Sequence, residues 1–374
     1  MLRNNFSKKI RVGIDARTLS ERGGVKNYVI NLVKQIKKDK DIELIIFYNN
    51  KKLKGSFKEV KEVCLFPKWK FLLPIYDLIV LPLGAFFYRI DVLHLPKSTS
   101  NFFPFIKKVT TLHDLIPITH PETENFLNYL YWKLNFFLSI SFSNILITDS
   151  KFSKKEILNY YKKKIKRNIE VIHLGIDKNI FKPSTKKEIN EIKRKYSLPD
   201  RFLLSVGTIQ PRKNILRYIE AIGELNINRK IKIPLVLVGR IGWKINFYNN
   251  NNNNLIHLDS VSNKDLSKLY SASTIVLFAS LIEGFGFPVL EAQSCGTSVI
   301  TSKNSSMSEL TNDSAYLVNP KSTKDILSGI KILLYNKDKR DLFSKKGIIN
   351  AKKYDWEKSV LKLSKIYKLI ANKE

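Results

Sequence analysis

Cysteine is scarce. The 374-residue chain holds two, Cys64 and Cys295, too few for a disulfide framework, and no Cys/His group has zinc-ligand spacing. A reducing, cytoplasmic setting is expected. Acidic residues are also few: 33 Asp and Glu stand against 65 Lys and Arg, a formal net charge of +32. The first nine residues offer no apolar signal core, since only Met1, Leu2 and Phe6 are apolar and residues 10–14 already read as a strand. A long uninterrupted apolar run is missing as well. The nearest candidate, residues 71–88, contains Pro74, Asp77, Pro82 and Gly84, which a membrane-spanning helix tolerates poorly, so an apolar surface or core helix is expected. The aromatic-rich residues 126–142 have helical spacing and are expected as a buried helix. One of these two stretches is a candidate for contact with a lipid interface.

What is present is an ordinary globular composition, 44% hydrophobic and long enough for two domains. The basic excess is divided evenly. Residues 1–180 carry 32 basic and 16 acidic side chains and the remainder 33 and 17, so no single tail accounts for it. Lysine predominates over arginine and comes with much Ile and Asn, including the run 249–254, as an AT-rich coding sequence would produce. The functional alternative is attraction to anionic head groups, nucleotide sugars or nucleic acid. Tyr160-Tyr-Lys-Lys-Lys-Ile-Lys-Arg167 is the best local stretch for such contact. An even charge distribution speaks against a nucleic-acid face, and peripheral contact with an anionic membrane is the preferred partner reading.

Short β-rich runs at 10–16, 42–48, 92–95, 109–112, 145–148 and 169–174 alternate with helical segments, one of them at 25–38, in a parallel α/β pattern. A charged segment at 186–196 reads as the inter-domain connection. A second series follows at 202–206, 235–238, 255–258, 275–278, 298–301 and 315–318. The expected fold is α/β, with two tandem Rossmann-like domains facing a central cleft: residues 1–180, joined by a C-terminal helix at 357–374, and residues 181–356. Five polar or glycine-rich segments follow directly after expected strands: 17–24, 113–114, 207–213, 239–240 and 280–286. Ligands of open α/β sheets bind at that edge.

Two of these segments carry the chemistry. In Ser280-Leu-Ile-Glu283-Gly-Phe-Gly-Phe-Pro-Val-Leu-Glu291-Ala, a strand leads through Gly284 and Gly286 into a helix opened by Pro288. Backbone N–H groups at such a junction donate to a diphosphate. Glu283 before the loop and Glu291, expected in the first helical turn, would meet sugar and ribose hydroxyls rather than phosphate. The bland alternative is a tight turn with two solvated acids. In Gly207-Thr-Ile-Gln-Pro-Arg212-Lys213-Asn214, two cations stand at a helix start, where they oppose the dipole unless an anion is bound. As clamps on a diphosphate they would stabilise the charge that grows as a sugar leaves.

Taken with Gly13-Ile-Asp-Ala-Arg17, Gly23-Gly24 and Tyr28, Thr111-Leu-His-Asp-Leu115, Pro121-Glu122, Thr148-Asp-Ser-Lys-Phe-Ser153, Val171-Ile-His-Leu-Gly-Ile-Asp177, Val238-Gly239 and Tyr354-Asp-Trp356, these segments give a chain that resembles the retaining, nucleotide-sugar-dependent glycosyltransferases of the GT-B fold with a Glu-x7-Glu signature, the family 4 and group 1 type. The resemblance runs over nearly the full length. It implies a donor site made of Gly23, Gly24, Gly207, Thr208, Arg212, Lys213, Gly239, Glu283, Gly284, Phe285, Gly286, Phe287 and Glu291. Within it Glu291 would hold ribose hydroxyls, Glu283 and the amides of Phe285 to Phe287 the donor sugar, and Arg212 with Lys213 the diphosphate. His113 would approach the reacting sugar, so His113, Arg212, Lys213 and Glu283 form the expected catalytic set. Thr208 stands where many relatives place an arginine, leaving Arg212 to serve both positions.

No metal and no other cofactor are expected, although Asp15 and Asp114 are carboxylates at strand ends. The resemblance further implies same-face attack by an acceptor hydroxyl, transfer of a hexose to a glycan or lipid-linked acceptor in bacterial surface polysaccharide synthesis, and mannose from GDP-mannose as the donor, with UDP-glucose and its relatives open. The rival readings are a sugar-nucleotide epimerase or phosphorylase on the same scaffold, and a basic nucleic-acid-binding protein.

Overall fold

The computed structural model describes residues 9–20, 23–65, 73–162, 165, 168–229, 233–242 and 254–372. The chain divides into two compact units, one formed by Met1–Gly175 with Trp356–Glu374 and the other by Ile176–Asp355. The crossings lie at 175/176 and 355/356, against the expected 180/181 and 356/357.

The first unit contains β1 (Ile10–Asp15), β2 (Ile42–Tyr48), β3 (Lys61–Cys64), β4 (Val92–Leu95), β5 (Lys107–Thr111), β6 (Ile145–Thr148) and β7 (Ile169–Val171). They form one sheet in the order β3-β2-β1-β4-β5-β6-β7, with every neighbouring pair parallel. The second unit holds β8 (Leu203–Val206), β9 (Leu235–Val238), β10 (Leu255–Leu258), β11 (Ile275–Phe278), β12 (Val299–Ser302) and β13 (Tyr316–Val318). Their order is β10-β9-β8-β11-β12-β13, again all parallel. Parallel sheets need helical crossovers on both faces, so their central strands are apolar on both sides. Thus Leu-Val-Leu-Val of β9 and Ile-Val-Leu-Phe of β11 are buried throughout. In each unit the strand order reverses beside the first strand, between β1 and β4 and between β8 and β11, and ligands of such folds bind outside those carboxyl ends.

Most expected strands fall within a residue or two of the observed ones. β3 was not foreseen: Lys-Glu-Val-Cys is short and half charged, and it sits at a sheet edge where one flank is unpaired. The charged segment at 186–196 is not the inter-domain connection. It is the helix Lys186–Lys195 inside the second unit, started by a capping box in which Thr185 and Glu188 bond each other's backbone N–H groups. Its charges form the solvent face of an amphipathic helix whose Ile192 is buried. The helix at 126–142 is not buried all round either. Phe126–Phe142 buries Phe136, Leu138 and Ile140 and exposes Phe126, Leu127, Leu130, Leu134, Phe137 and Phe142. Among the described residues no helix is long and apolar enough to cross a membrane. The basic stretch at 160–167 lies partly, and the Asn run at 249–254 almost wholly, outside the described residues.

Candidate functional site

In the second unit the loops after β8 and β11 meet at the switch point. After β8 the backbone turns through Gly207 at φ 134° and Gly239, after β9, at φ 144°. Both values lie where only glycine is comfortable. A Cβ on Gly239 would overlap the Gly207 carbonyl, so the two loops touch backbone to backbone. Gly207 N–H donates to Val238 O, and Ile209 and Ile241 form a further bridge. Thr208, half-buried, lies within this pinned segment. The short helical turn Pro211–Lys213 then presents the two cations, and Asn214 closes it in the left-handed conformation, φ 65°. The Asn214 amide donates to Ala279 O at 3.0 Å and Pro320 O at 2.6 Å, tying the turn to the end of β11. From the other side Leu281 N–H donates to Arg212 O at 2.8 Å.

That bracing places three charges together. Glu283 receives Arg212 Nη1 on Oε2 at 2.7 Å and Lys213 Nζ on Oε1 at 2.5 Å. Lys213 also lies 4.6 Å from the centre of the Phe278 ring. With its amide oxygen turned inward, Gln210 accepts from Arg212 Nε at 2.7 Å and Nη2 at 2.9 Å. Burial alone would raise the Glu283 pKa, but the charges and hydrogen bonds of Arg212 and Lys213 bring it down to about 2. Glu283 is therefore ionised, and it faces cations rather than solvent.

The glycine loop follows. Gly286, φ 137°, caps the helix Phe287–Ser294, and Ser306 Oγ donates to Glu283 O at 2.6 Å and Phe285 O at 3.0 Å, fixing the loop from below. Gly284 and Phe285 are buried and Phe287 half-buried. Glu291 lies one turn into this helix rather than in its first turn, because the helix begins at Phe287. It is 8% exposed and accepts from Tyr270 Oη at 2.9 Å. Burial raises its pKa to about 7 despite the Tyr270 bond. The bland alternative of two solvated acids does not hold: one carboxylate is half-buried as an anion between cations, and the other is buried with its pKa raised.

His113 and the first glycines belong to the first unit. Gly23, φ 123°, precedes the helix Gly24–Ile36 and is exposed, with open space where a Cβ would stand. His113 follows β5. Its Nδ1 lies 2.6 Å from Asp149 Oδ2 and its Nε2 2.8 Å from Pro96 O, and Tyr28 packs edge-on with ring centres 5.2 Å apart. Both partners are acceptors, so only the imidazolium satisfies both ring nitrogens. Burial works against that charge, but the Asp149 carboxylate, helped by the Pro96 carbonyl and the Asp114 charge, holds the His113 pKa above its usual value. The same unit holds a buried charge cluster: Arg17 bonds Asp15 at 3.0 Å and Asp77 at 2.5 Å, and Tyr131 Oη donates to Asp77 at 2.6 Å.

Sequence reasoning brought Arg212, Lys213 and Glu283 to one site, and the structure holds them within hydrogen-bond reach. It did not single out Asp149, Gln210, Asn214, Tyr270 or Ser306. Asp149, Gln210 and Asn214 stood inside quoted motifs: Asp149 immediately after a strand, Gln210 two residues before Arg212, and Asn214 immediately before a helix. Tyr270 and Ser306 act through tertiary contacts that no local pattern announces. Asp15, considered as a metal carboxylate, is instead the buried partner of Arg17.

A family model described as "Glycosyltransferase Family 4" matches residues 22–179, and one described as "Glycosyl transferases group 1" matches residues 186–349. The chain is 28% identical over 271 residues to O-antigen chain mannosyltransferase B of Escherichia coli, covering 71% of each. Its fold matches that of sucrose-phosphate synthase from Thermosynechococcus elongatus with a TM-score of 0.77 at 16% identity, over 97% of this chain and 99% of that one. It also matches that of Anabaena HepE in complex with UDP-glucose, with a TM-score of 0.74 at 16% identity over 96% and 99%. With both units matched and the charged site at the switch point of the second, the chain belongs to the GT-B glycosyltransferases of the family 4, group 1 type.

Proposed function

We propose that this glycosyltransferase transfers mannose, with retention of configuration, from GDP-mannose to a glycan or lipid-linked acceptor of a bacterial surface polysaccharide, at the cytoplasmic face of a membrane. The observation that carries the reading is the convergence of Arg212, Lys213 and Glu283 outside the carboxyl ends of β8 and β11. Two adjacent cations on one braced turn suit a diphosphate, whose negative charge increases as the anomeric C–O bond breaks, and they stabilise that charge once they leave Glu283. Because these two side chains supply positive charge where a divalent ion would otherwise act, turnover is expected without a metal. Glu283 then exchanges its cations for donor-sugar hydroxyls, and Glu291, one helical turn on, addresses the ribose. In this scheme a diphosphate oxygen takes the acceptor proton as the hydroxyl attacks from the leaving-group face. Mannose is supported by the O-antigen mannosyltransferase relative, and a nucleotide sugar as such by the UDP-glucose complex of HepE.

A thermal-shift panel of GDP-mannose, UDP-glucose, UDP-galactose and the free nucleotides tests the donor, since a ligand of the native state raises the melting temperature with its affinity. GDP-mannose should give the largest shift, and Lys213→Ala should reduce it. A larger shift with a uridine donor would replace the donor assignment, and no shift with any nucleotide sugar would remove the site assignment. Turnover lost on EDTA treatment and restored by magnesium would overturn the metal-free reading.

A further inference from the structure

Two helical segments of the first unit carry apolar faces that no described residue covers. Leu73–Ile75, Tyr76–Val80 and Leu81–Phe87 follow one another without a break. Along them Ile75, Ile79, Leu83, Phe86 and Phe87 are exposed, whereas Tyr76, Asp77, Leu81 and Ala85 are buried. On Phe126–Phe142 the exposed row is Phe126, Leu127, Leu130, Leu134 and Phe137, with Phe142 exposed off that row. Steps of three, four and eight place each set on one helical face. Phe87 at 77% and Leu127 at 76% stand almost free of the protein.

The two segments meet where Tyr131 Oη donates to Asp77 Oδ2 at 2.6 Å. Asp77 is their only acidic residue, and it is buried under Arg17. Lys133 is their only cation, so the outward rows show no carboxylate at all. The loop before β5 adds Phe102 and Phe105, the latter 79% exposed. It is fastened by Lys108, whose Nζ donates to Asn101 O and Phe103 O at 2.7 Å, and by Ser139, which donates to Ser98 O at 3.2 Å.

Isolated exposed apolar side chains are ordinary, but ten in two rows on contacting segments are not. Charge decides what covers them. A second copy would bring +32 against +32, whereas an anionic bilayer attracts the chain and takes apolar side chains below its head groups. We propose that this face of the first unit, formed by residues 73–87 and 126–142, seats the protein in the acyl–headgroup boundary of an anionic lipid bilayer, lying on it without crossing. It shares the membrane-borne acceptor of the preceding section, and its test contains neither donor nor acceptor, so the two readings fail separately.

The experiment is co-sedimentation of the full chain with vesicles of phosphatidylglycerol and phosphatidylethanolamine, and with phosphatidylcholine alone, at physiological ionic strength. The variants are Phe86→Ser with Phe87→Ser, Phe126→Ser with Leu127→Ser, and Ile349→Ser, an exposed apolar control in the second unit. Wild type should bind the anionic vesicles more tightly. Each double variant should bind about tenfold or more weakly, as the loss of one large apolar contact predicts, and the control should match wild type. Double variants that fold and bind like wild type would overturn the proposal. So would a wild-type dimer that the double variants convert to monomer with no vesicle binding.

Discussion

Lys213 and Arg212 lie within 2.5 and 2.7 Å of the same carboxylate, so removing either acts twice. Turnover should fall on the order of 100-fold or more for Lys213→Ala, the usual loss when one transition-state donor is deleted. Stability should also drop by about 1–3 kcal/mol, because the half-buried Glu283 keeps only one partner. Steady-state kinetics beside a melting curve separate the two, and unchanged turnover would remove Lys213 from the mechanism. The two glutamates should give opposite pH signatures. Glu283, held down to about 2 in the fold, contributes stability that is present above its unfolded value and is lost as the pH falls toward 2. Glu291, raised to about 7, binds its proton more tightly folded than unfolded. Its contribution is complete below its ordinary value and disappears as the pH rises to 7, a change of roughly 3 kcal/mol at the usual energy per pKa unit. Glu291→Gln should flatten unfolding free energy between pH 4.5 and 7, and an unchanged slope there would contradict the burial argument. The spacing of Glu283 and Glu291 was legible because glycine and proline mark the loop in sequence. Their protonation was not, since Tyr270 and the burial that raises Glu291 are assembled from elsewhere in the chain.

Asn214 sets the position of the cationic turn. Its left-handed backbone ends Pro211–Lys213, and its amide reaches the carbonyls after β11 and β13. Asn214→Ala loses both bonds and gains a strained φ, so a cost of about 2–3 kcal/mol is expected. The KM for the donor should rise more than kcat falls, because the variant loosens the turn and leaves both cations present; the reverse split would argue for a direct chemical role. Gly239→Ala has no such freedom: its Cβ would overlap the Gly207 carbonyl at φ 144°, and a loss beyond about 2 kcal/mol, seen by denaturant unfolding, is expected. Elements were readable where composition was unmixed. β9 and β11 are short, wholly apolar runs, and buried parallel strands have no other appearance. The pattern misled where charge and structure coexist: Lys186–Lys195 is a capped helix whose solvent face read as a linker, and β3 is too polar and too short to stand out. The exposed row on Phe126–Phe142 was equally hidden, because apolar spacing gives the period of a helix but not which of its faces is covered.

At the scale of the molecule, the buried Arg17 with Asp15 and Asp77 is confined to the first unit, so its loss should be felt there. Asp77→Ala leaves the buried guanidinium with Asp15 as its one carboxylate and the Tyr131 hydroxyl without its acceptor, and should cost about 3–5 kcal/mol. A calorimetric trace should show one transition moved down while the transition stabilised by nucleotide sugar keeps its ligand response; if both moved equally, the units would unfold as one. The second unit begins and ends at one place. Ile176 N–H donates to Tyr354 O at 3.3 Å, Lys178 pairs with Asp355 at 2.6 Å, and in the first unit Gly175 lies so close to Trp356 that a Cβ there would overlap its backbone. Chain direction thus makes residues 176–355 a cassette inserted into the other unit through a doorway two strands wide. Such a segment can be lifted out, or exchanged for that of a relative, by a single in-frame swap at adjoining ends. Recombination could then reassign the nucleotide sugar while leaving the lipid-facing helices and their charge cluster untouched.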